Sequence, residues 1–144
     1  MKSLKFYVDT NIYLNLWKKE GDPTKGIPYW KLAQDFLNKA EKEKSTIINS
    51  GLILKELYYV LSRQQFNQKV ELLKASYQRV IVAQEDYTLA RVLESKHKFR
   101  ISFYDCLHLA ICSRLNLILV TRDTLLLEVA KREHVPCARP EDFL

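Results

Sequence analysis

Glycine is scarce in this 144-residue chain, with three in all, at Gly21, Gly26 and Gly51. A phosphate-cradling loop needs several glycines close together, so a nucleotide-binding fingerprint of that kind is excluded. Cysteine is equally sparse. Cys106, Cys112 and Cys137 are odd in number and lie mostly in apolar surroundings, and are expected to be buried free thiols, not a disulfide framework. The three histidines, His97, His108 and His134, do not stand at zinc-ligand spacing from those cysteines, which sets a zinc centre aside. No serine carries a Ser-His-Asp signature. No apolar run approaches the ~20 residues needed to cross a bilayer. The start Met1-Lys2-Ser3-Leu4 passes directly into strand-like sequence, without the apolar core of a secretory signal. The expectation is a cytoplasmic protein with no membrane partner.

An apolar share of 47% beside a charged share of 28% suits a soluble chain that folds as a single domain over 1–144. The net charge of +6 permits a polyanionic partner without demanding one. Two short, nearly continuous apolar runs, Leu4–Val8 and Leu117–Val120, read as buried parallel strands. Thr46–Ile48 and Val80–Ala83 are weaker examples of the same pattern. Helical patterns fill the intervals over Asn11–Lys18, Tyr29–Lys44, Leu52–Arg63, Gln68–Gln78, Glu85–Lys96, Phe103–Arg114 and Leu125–Arg132. Strands alternating with helices predict an α/β layer fold on a mostly parallel sheet.

Four acids interrupt this apolar pattern: Asp9, Glu56, Asp105 and Asp123. Asp9 and Asp123 fall just past predicted strands, where open α/β sheets bind their ligands. Asp105 opens a helix, and Glu56 replaces an apolar residue on a stripe with Leu52, Ile53, Tyr59 and Val60, while Lys55 and Ser62 take the wetter face. Each acid alone has a structural reading. Asp9 and Asp123 fit helix caps, Asp105 fits a capping box with Ser102, and Glu56 fits a solvated helix face. Together at one sheet edge they would repel one another, and the usual remedy is a divalent cation. Oxygen ligands around such an ion point to phosphate chemistry. His108, three residues after Asp105 on the same helical face, is read as a packed or hydrogen-bonded histidine, with a supporting place beside the acids as the alternative.

The segments carrying these acids, Tyr7-Val-Asp-Thr-Asn-Ile12, Ser50-Gly-Leu-Ile-Leu-Lys-Glu-Leu57, Phe103-Tyr-Asp-Cys-Leu-His-Leu-Ala110 and Leu119-Val-Thr-Arg-Asp123, occur in an order that resembles the PIN-domain nucleases. The similarity is greatest to the small prokaryotic type that includes VapC toxins. It implies a three-layer α/β/α sandwich with a twisted, mostly parallel central sheet. It also implies that Asp9, Glu56, Asp105 and Asp123 form a catalytic pocket for Mg²⁺ or Mn²⁺, with Thr10, Asn11 and Thr121 as supporting polar groups. Some relatives place a further acid shortly after the fourth. Here Asp123-Thr-Leu-Leu-Leu127 turns apolar, so no complete ligand set for a second ion carries over.

The function implied is a metal-dependent endoribonuclease acting on single-stranded or structured RNA, as the toxin of a toxin–antitoxin pair. An antitoxin protein and a second copy of the chain are then the expected partners. Lys96, Lys98, Arg100 and Arg122 are candidates for holding the RNA backbone, against the alternative of an ordinary solvated surface. The other readings left open are a stand-alone RNA-processing nuclease, a metal phosphohydrolase with no nucleic-acid substrate, and a non-catalytic acidic pocket that docks a basic peptide. A receiver-like signalling domain would want an acidic pair after the first strand, where this chain has Asp9-Thr10-Asn11.

Overall fold

A computed structural model describes residues 4–144. The reading of the N-terminus as free of a secretory signal rests partly on Met1–Ser3, which lie outside the described residues. The elements in order are β1 (Lys5–Val8), α1 (Thr10–Trp17), α2 (Tyr29–Lys42), β2 (Thr46–Ser50), α3 (Gly51–Val60), α4 (Arg63–Ser76) and β3 (Gln78–Val80). They continue with α5 (Gln84–Lys96), α6 (Phe103–Leu115), β4 (Ile118–Val120), α7 (Thr124–Arg132), β5 (Cys137–Ala138) and a closing 3-10 helix at Pro140–Phe143. The five strands form one parallel sheet in the order β3-β2-β1-β4-β5. The fold is the α/β sandwich expected.

β1 is central, and its buried Phe6, Tyr7 and Val8 explain the near-continuous apolar run. Its side chains alternate between the layers. Phe6 meets Phe36 of α2 edge-on at 5.1 Å between ring centroids, whereas Tyr7 turns to His108 of α6. The connections reverse direction: β1 passes to β2 one way along the sheet, and β3 returns past both to β4 the other way, which under the right-handed crossover rule puts helices on both faces. Helix α2 buries Ala33, Phe36 and Ala40, a three- and four-residue spacing that forms one face. Helix α6 buries every residue from Cys106 to Cys112 and ends at Asn116, whose left-handed conformation (φ 55°) stops it.

Several boundaries differ from the sequence expectation. The helix expected over Gln68–Gln78 begins at Arg63, because Ser62 and Gln65 form a reciprocal capping box. Ser62 therefore starts α4 and does not sit on the wet face of α3. The strand expected at Val80–Ala83 is Gln78–Val80, and Ala83 already caps α5. The two-residue β5 was not foreseen; it follows Pro136 and is too short to show a period. On α3 the expected stripe holds for Leu52 and Ile53 in its first turn, but Tyr59 and Val60 in its last turn are exposed. All three cysteines are free thiols; Cys106 and Cys112 are buried and Cys137 is half-buried. Among the described residues no helix is long and apolar enough to cross a membrane.

Candidate active site

The crevice between β1 and β4 is where the chain reverses its direction of travel across the sheet, the place where such sheets open a ligand site. Asp9 leaves β1 there, and its amide donates to the Val120 carbonyl at 2.9 Å. One carboxylate oxygen, Oδ1, accepts from the Thr10 amide at 2.7 Å. The other, Oδ2, accepts from the Thr121 hydroxyl at 2.7 Å and from the Asn11 amide at 3.2 Å. Thr121 in turn accepts from Asn11 and from the Asp123 amide, both at 3.1 Å. Thr10, Asn11 and Thr121 thus surround Asp9 and aim its carboxylate. With 6% of its surface exposed, Asp9 has its acidity weakened by burial, only partly offset by nearby His108 and these hydrogen bonds.

Glu56 reaches the same place from α3. Its Oε1 accepts from the Thr10 hydroxyl at 3.1 Å and lies 2.6 Å from His108 Nε2. The other ring nitrogen of His108, Nδ1, lies 2.7 Å from the Tyr7 hydroxyl, which is 2.7 Å from Ser50 Oγ. Ligand-type atoms of Asp9, Glu56 and His108 fall within 4.8 Å of one another. His108 is fully buried, which by itself disfavours the charged ring. The hydrogen bond to Glu56 and the charges of Asp9, Glu56 and Asp105 outweigh this and raise its pKa above the ordinary value.

Asp105 enters from the first turn of α6, where Ser102 is the N-cap and accepts from the Asp105 amide at 3.1 Å. Burial and the charges of Asp9 and Asp123 push its carboxyl up to about 6, against a lowering from His108. Asp123 is exposed and caps α7, its Oδ1 accepting from the amides of Leu125 and Leu126 at 3.0 and 3.1 Å. Asp123 is thus a helix cap as expected, whereas the capping box expected of Ser102 and Asp105 has only its Ser102 half.

The basic candidates are differently placed. Lys96 pairs with Glu133 at 2.8 Å, Arg100 lies 3.7 Å from Glu128, and Lys98 is exposed. Arg122 forms a two-pronged bridge to Glu141 at 2.9 and 2.8 Å and stacks on Tyr29 at 4.1 Å. A groove of about 590 Å³ lies instead between α3, α5 and α6 and is lined in part by Lys55, Arg79, Arg91, Phe103 and Tyr104, the chain neighbours of Glu56 and Asp105 among them. Lys55 lies over the Tyr104 ring at 5.3 Å and the Arg91 guanidinium over Phe103 at 3.8 Å. Lys55 and Arg79 escaped the sequence reading because nothing in their neighbours' pattern distinguishes them from solvated cations.

The donor set suits a hard divalent cation. Among the described residues no lysine or arginine pairs with Asp9, Asp105 or Asp123, so these carboxylates converge without a permanent counter-charge. Oxygen ligands with room for retained water match Mg²⁺ or Mn²⁺. Both nitrogens of His108 are engaged in hydrogen bonds, which leaves it no free lone pair for an ion.

The family model for the PIN domain matches residues 6–132. No curated protein matches the sequence. Among solved structures, the VapBC2 complex from Rickettsia felis bound to a promoter DNA fragment is similar at TM-score 0.71 and 17% identity, over 94% of this chain and 98% of that one. VapBC-1 from nontypeable Haemophilus influenzae is similar at TM-score 0.70 and 15% identity, over 96% and 99%. A toxin–antitoxin complex from Klebsiella pneumoniae is similar at TM-score 0.67 and 18% identity, over 94% and 97%.

Proposed function

The chain belongs to the PIN-domain family, and from that premise we propose that it is a divalent-metal-dependent endoribonuclease of the toxin type, acting in the cytoplasm as a single catalytic domain. The observation that carries this reading is the convergence of Asp9 and Glu56 beside His108, with Asp105 near enough for the Asp9 charge to raise its carboxyl and no lysine or arginine paired with Asp9 or Asp105. Asp9, Glu56 and Asp105 would hold Mg²⁺ or Mn²⁺, and Asp123 would act through a retained water. A bound ion of this kind supplies charge stabilisation at the phosphate and acidifies a water molecule. The side chains do the rest. Thr121, Asn11 and the Thr10 amide fix the direction of Asp9, and Thr10 also steadies Glu56. Glu56 would orient the attacking water. As that water adds to phosphorus, the bond from phosphorus to the leaving ribose oxygen breaks.

RNA is favoured over a small phosphate ester by the groove between α3, α5 and α6. Lys55 and Arg79 are cations with no acidic partner among the described residues, and both line this groove, where they would meet the phosphates of a longer strand. The structural neighbours include toxin–antitoxin complexes, which supports an antitoxin partner here. Tyr58, Tyr59 and Val60 on α3 are 60%, 69% and 49% exposed and provide an apolar landing surface beside Glu56 for it. A homodimer is part of the same proposal. The test is cleavage of single-stranded RNA with Mg²⁺ or Mn²⁺, with an EDTA control and matched DNA. Cleavage should require the metal and fall by orders of magnitude in Asp105→Asn with the fold intact. EDTA-insensitive cleavage, retained in that variant, would remove the acids from the chemistry. Failure of the chain to purify from its host with a second small protein would remove the antitoxin.

A further inference from the structure

Asp9 is aimed by hydrogen bonds from three residues, but Glu56 is anchored at one oxygen only, by the Thr10 hydroxyl at 3.1 Å and by His108 at 2.6 Å. An ionised carboxylate can only accept, so the proton in the short contact belongs to His108 Nε2. The ring is itself held from behind. The Ile53 amide donates to Ser50 Oγ, Ser50 Oγ lies 2.7 Å from the Tyr7 hydroxyl, and that hydroxyl lies 2.7 Å from Nδ1. Every one of these groups is buried except Glu56, which is 24% exposed at its side chain. With Ser50 donating to Tyr7, Tyr7 to Nδ1 and Nε2 to Glu56, each polar atom in the chain has a partner.

This chain of contacts runs through three of the four segments that carry the acids. Tyr7 is two residues before Asp9 on β1, Ser50 caps the helix that carries Glu56, and His108 stands one turn after Asp105 on α6. We propose that His108, locked by Tyr7 and Ser50, is a positioning residue that sets the angle and distance at which the Glu56 carboxylate meets a divalent ion. The inference rests on the metal-nuclease reading and adds to it a residue that touches neither ion nor RNA. Outer partners of this kind typically change metal affinity by about 10–100-fold when removed.

The test measures Mn²⁺ binding by calorimetry on folded protein, alongside kcat and KM for RNA cleavage. His108→Asn keeps an amide near the Nδ1 position and loses the Glu56 contact. His108→Gln can return a donor to Glu56, and Tyr7→Phe removes only the hydroxyl behind the ring. The expected result is a roughly 10–100-fold weaker Mn²⁺ affinity in His108→Asn, partial recovery in His108→Gln and a smaller loss in Tyr7→Phe. In each variant kcat should fall while KM for RNA stays near the wild-type value. A purely structural role would lower melting temperature and leave Mn²⁺ affinity untouched. Should His108→Asn fail to fold, Tyr7→Phe decides alone. Wild-type Mn²⁺ affinity in the folded variants, alongside its loss in Glu56→Gln, overturns this inference and leaves the nuclease reading standing. Absence of Mn²⁺ binding in the wild type overturns both.

Discussion

Asp9 and Asp86 are both aspartates at the start of a helix, and both are almost fully buried, at 6% and 1% exposure. Asp86 is closed from within. Arg114 donates to both of its oxygens at 2.9 Å, and the Ala83 amide donates to one at 2.8 Å. Asp9 has the same kind of backbone and side-chain donors but all of them are neutral. A buried charge with a built-in guanidinium ties α5 to α6 and is finished. A buried carboxylate whose hydrogen-bond donors are all neutral has no such built-in guanidinium, and the proposed ion would take that place. Burial alone therefore does not mark a functional acid; the identity of its partners does.

The comparison breaks most sharply by substitution. Asp9→Asn keeps the shape and most hydrogen bonds, so RNA cleavage should fall by orders of magnitude while the metal-free protein melts no earlier than the wild type. Asp86→Asn should do the opposite, retaining metal-dependent cleavage but losing about 3 kcal/mol in denaturant unfolding as Arg114 keeps its charge without its partner. Equal activity losses in folded samples of the two would erase the distinction drawn between them.

Metal addition sharpens the same contrast. At a free Mn²⁺ concentration about 100 times Kd, binding to the folded state alone contributes about 2.7 kcal/mol, or on the order of 5–10 °C in melting temperature for a chain of this size. The shift should survive in Asp86→Asn and vanish in Asp9→Asn, as read by thermal melts across a Mn²⁺ series.

A third prediction concerns pH in the absence of metal. The Asp105 carboxyl is raised from 3.8 to about 6, and Asp9 is raised as well. The folded state therefore holds protons more tightly than the unfolded chain. These groups contribute stability below about pH 4, and it is lost as pH rises through about 6. After allowance for the partial exposure of Asp105, the loss is on the order of 2 kcal/mol across that window, measured by urea unfolding in EDTA. Mn²⁺ should flatten the slope. A metal-free stability that rises with pH between 4 and 6 would contradict the strained cluster.

The smallest effect belongs to Asp123. Asp123→Ser keeps a side-chain cap for α7, so stability should change by less than about 1 kcal/mol. If the carboxylate also serves the ion through water, cleavage should fall severalfold despite the intact helix. Unchanged cleavage would leave Asp123 as a cap alone.

Much of this was legible in the sequence because short-range rules govern it. Apolar runs with a period of two or less locate β1 and β4, and the position of an acid after each strand brings Asp9 and Asp123 to one edge. The start of α4 was misplaced because Ser62 and Gln65 act as a reciprocal cap, a local feature that a search for hydrophobic period passes over. β5 went unseen because two residues have no period at all. The exposed Tyr59 and Val60 show the other limit. Their spacing from Glu56 places them on one side of a helix, but whether anything packs against that end of the helix is not a local property.

By itself the sequence determined the alternation of strands and helices, the four unusual acids and the capping groups beside them, since each depends on neighbours a few residues away. Only the tertiary structure decided which buried acid is neutralised. Asp86 meets Arg114 across 28 residues of chain, Glu56 meets His108 across 52 and Tyr7 meets His108 across 101. Such partners are chosen by how α3, α5 and α6 pack on the sheet. In a low-dielectric interior the free energy of a carboxylate depends on the charges and donors within a few ångströms, whatever their distance along the chain.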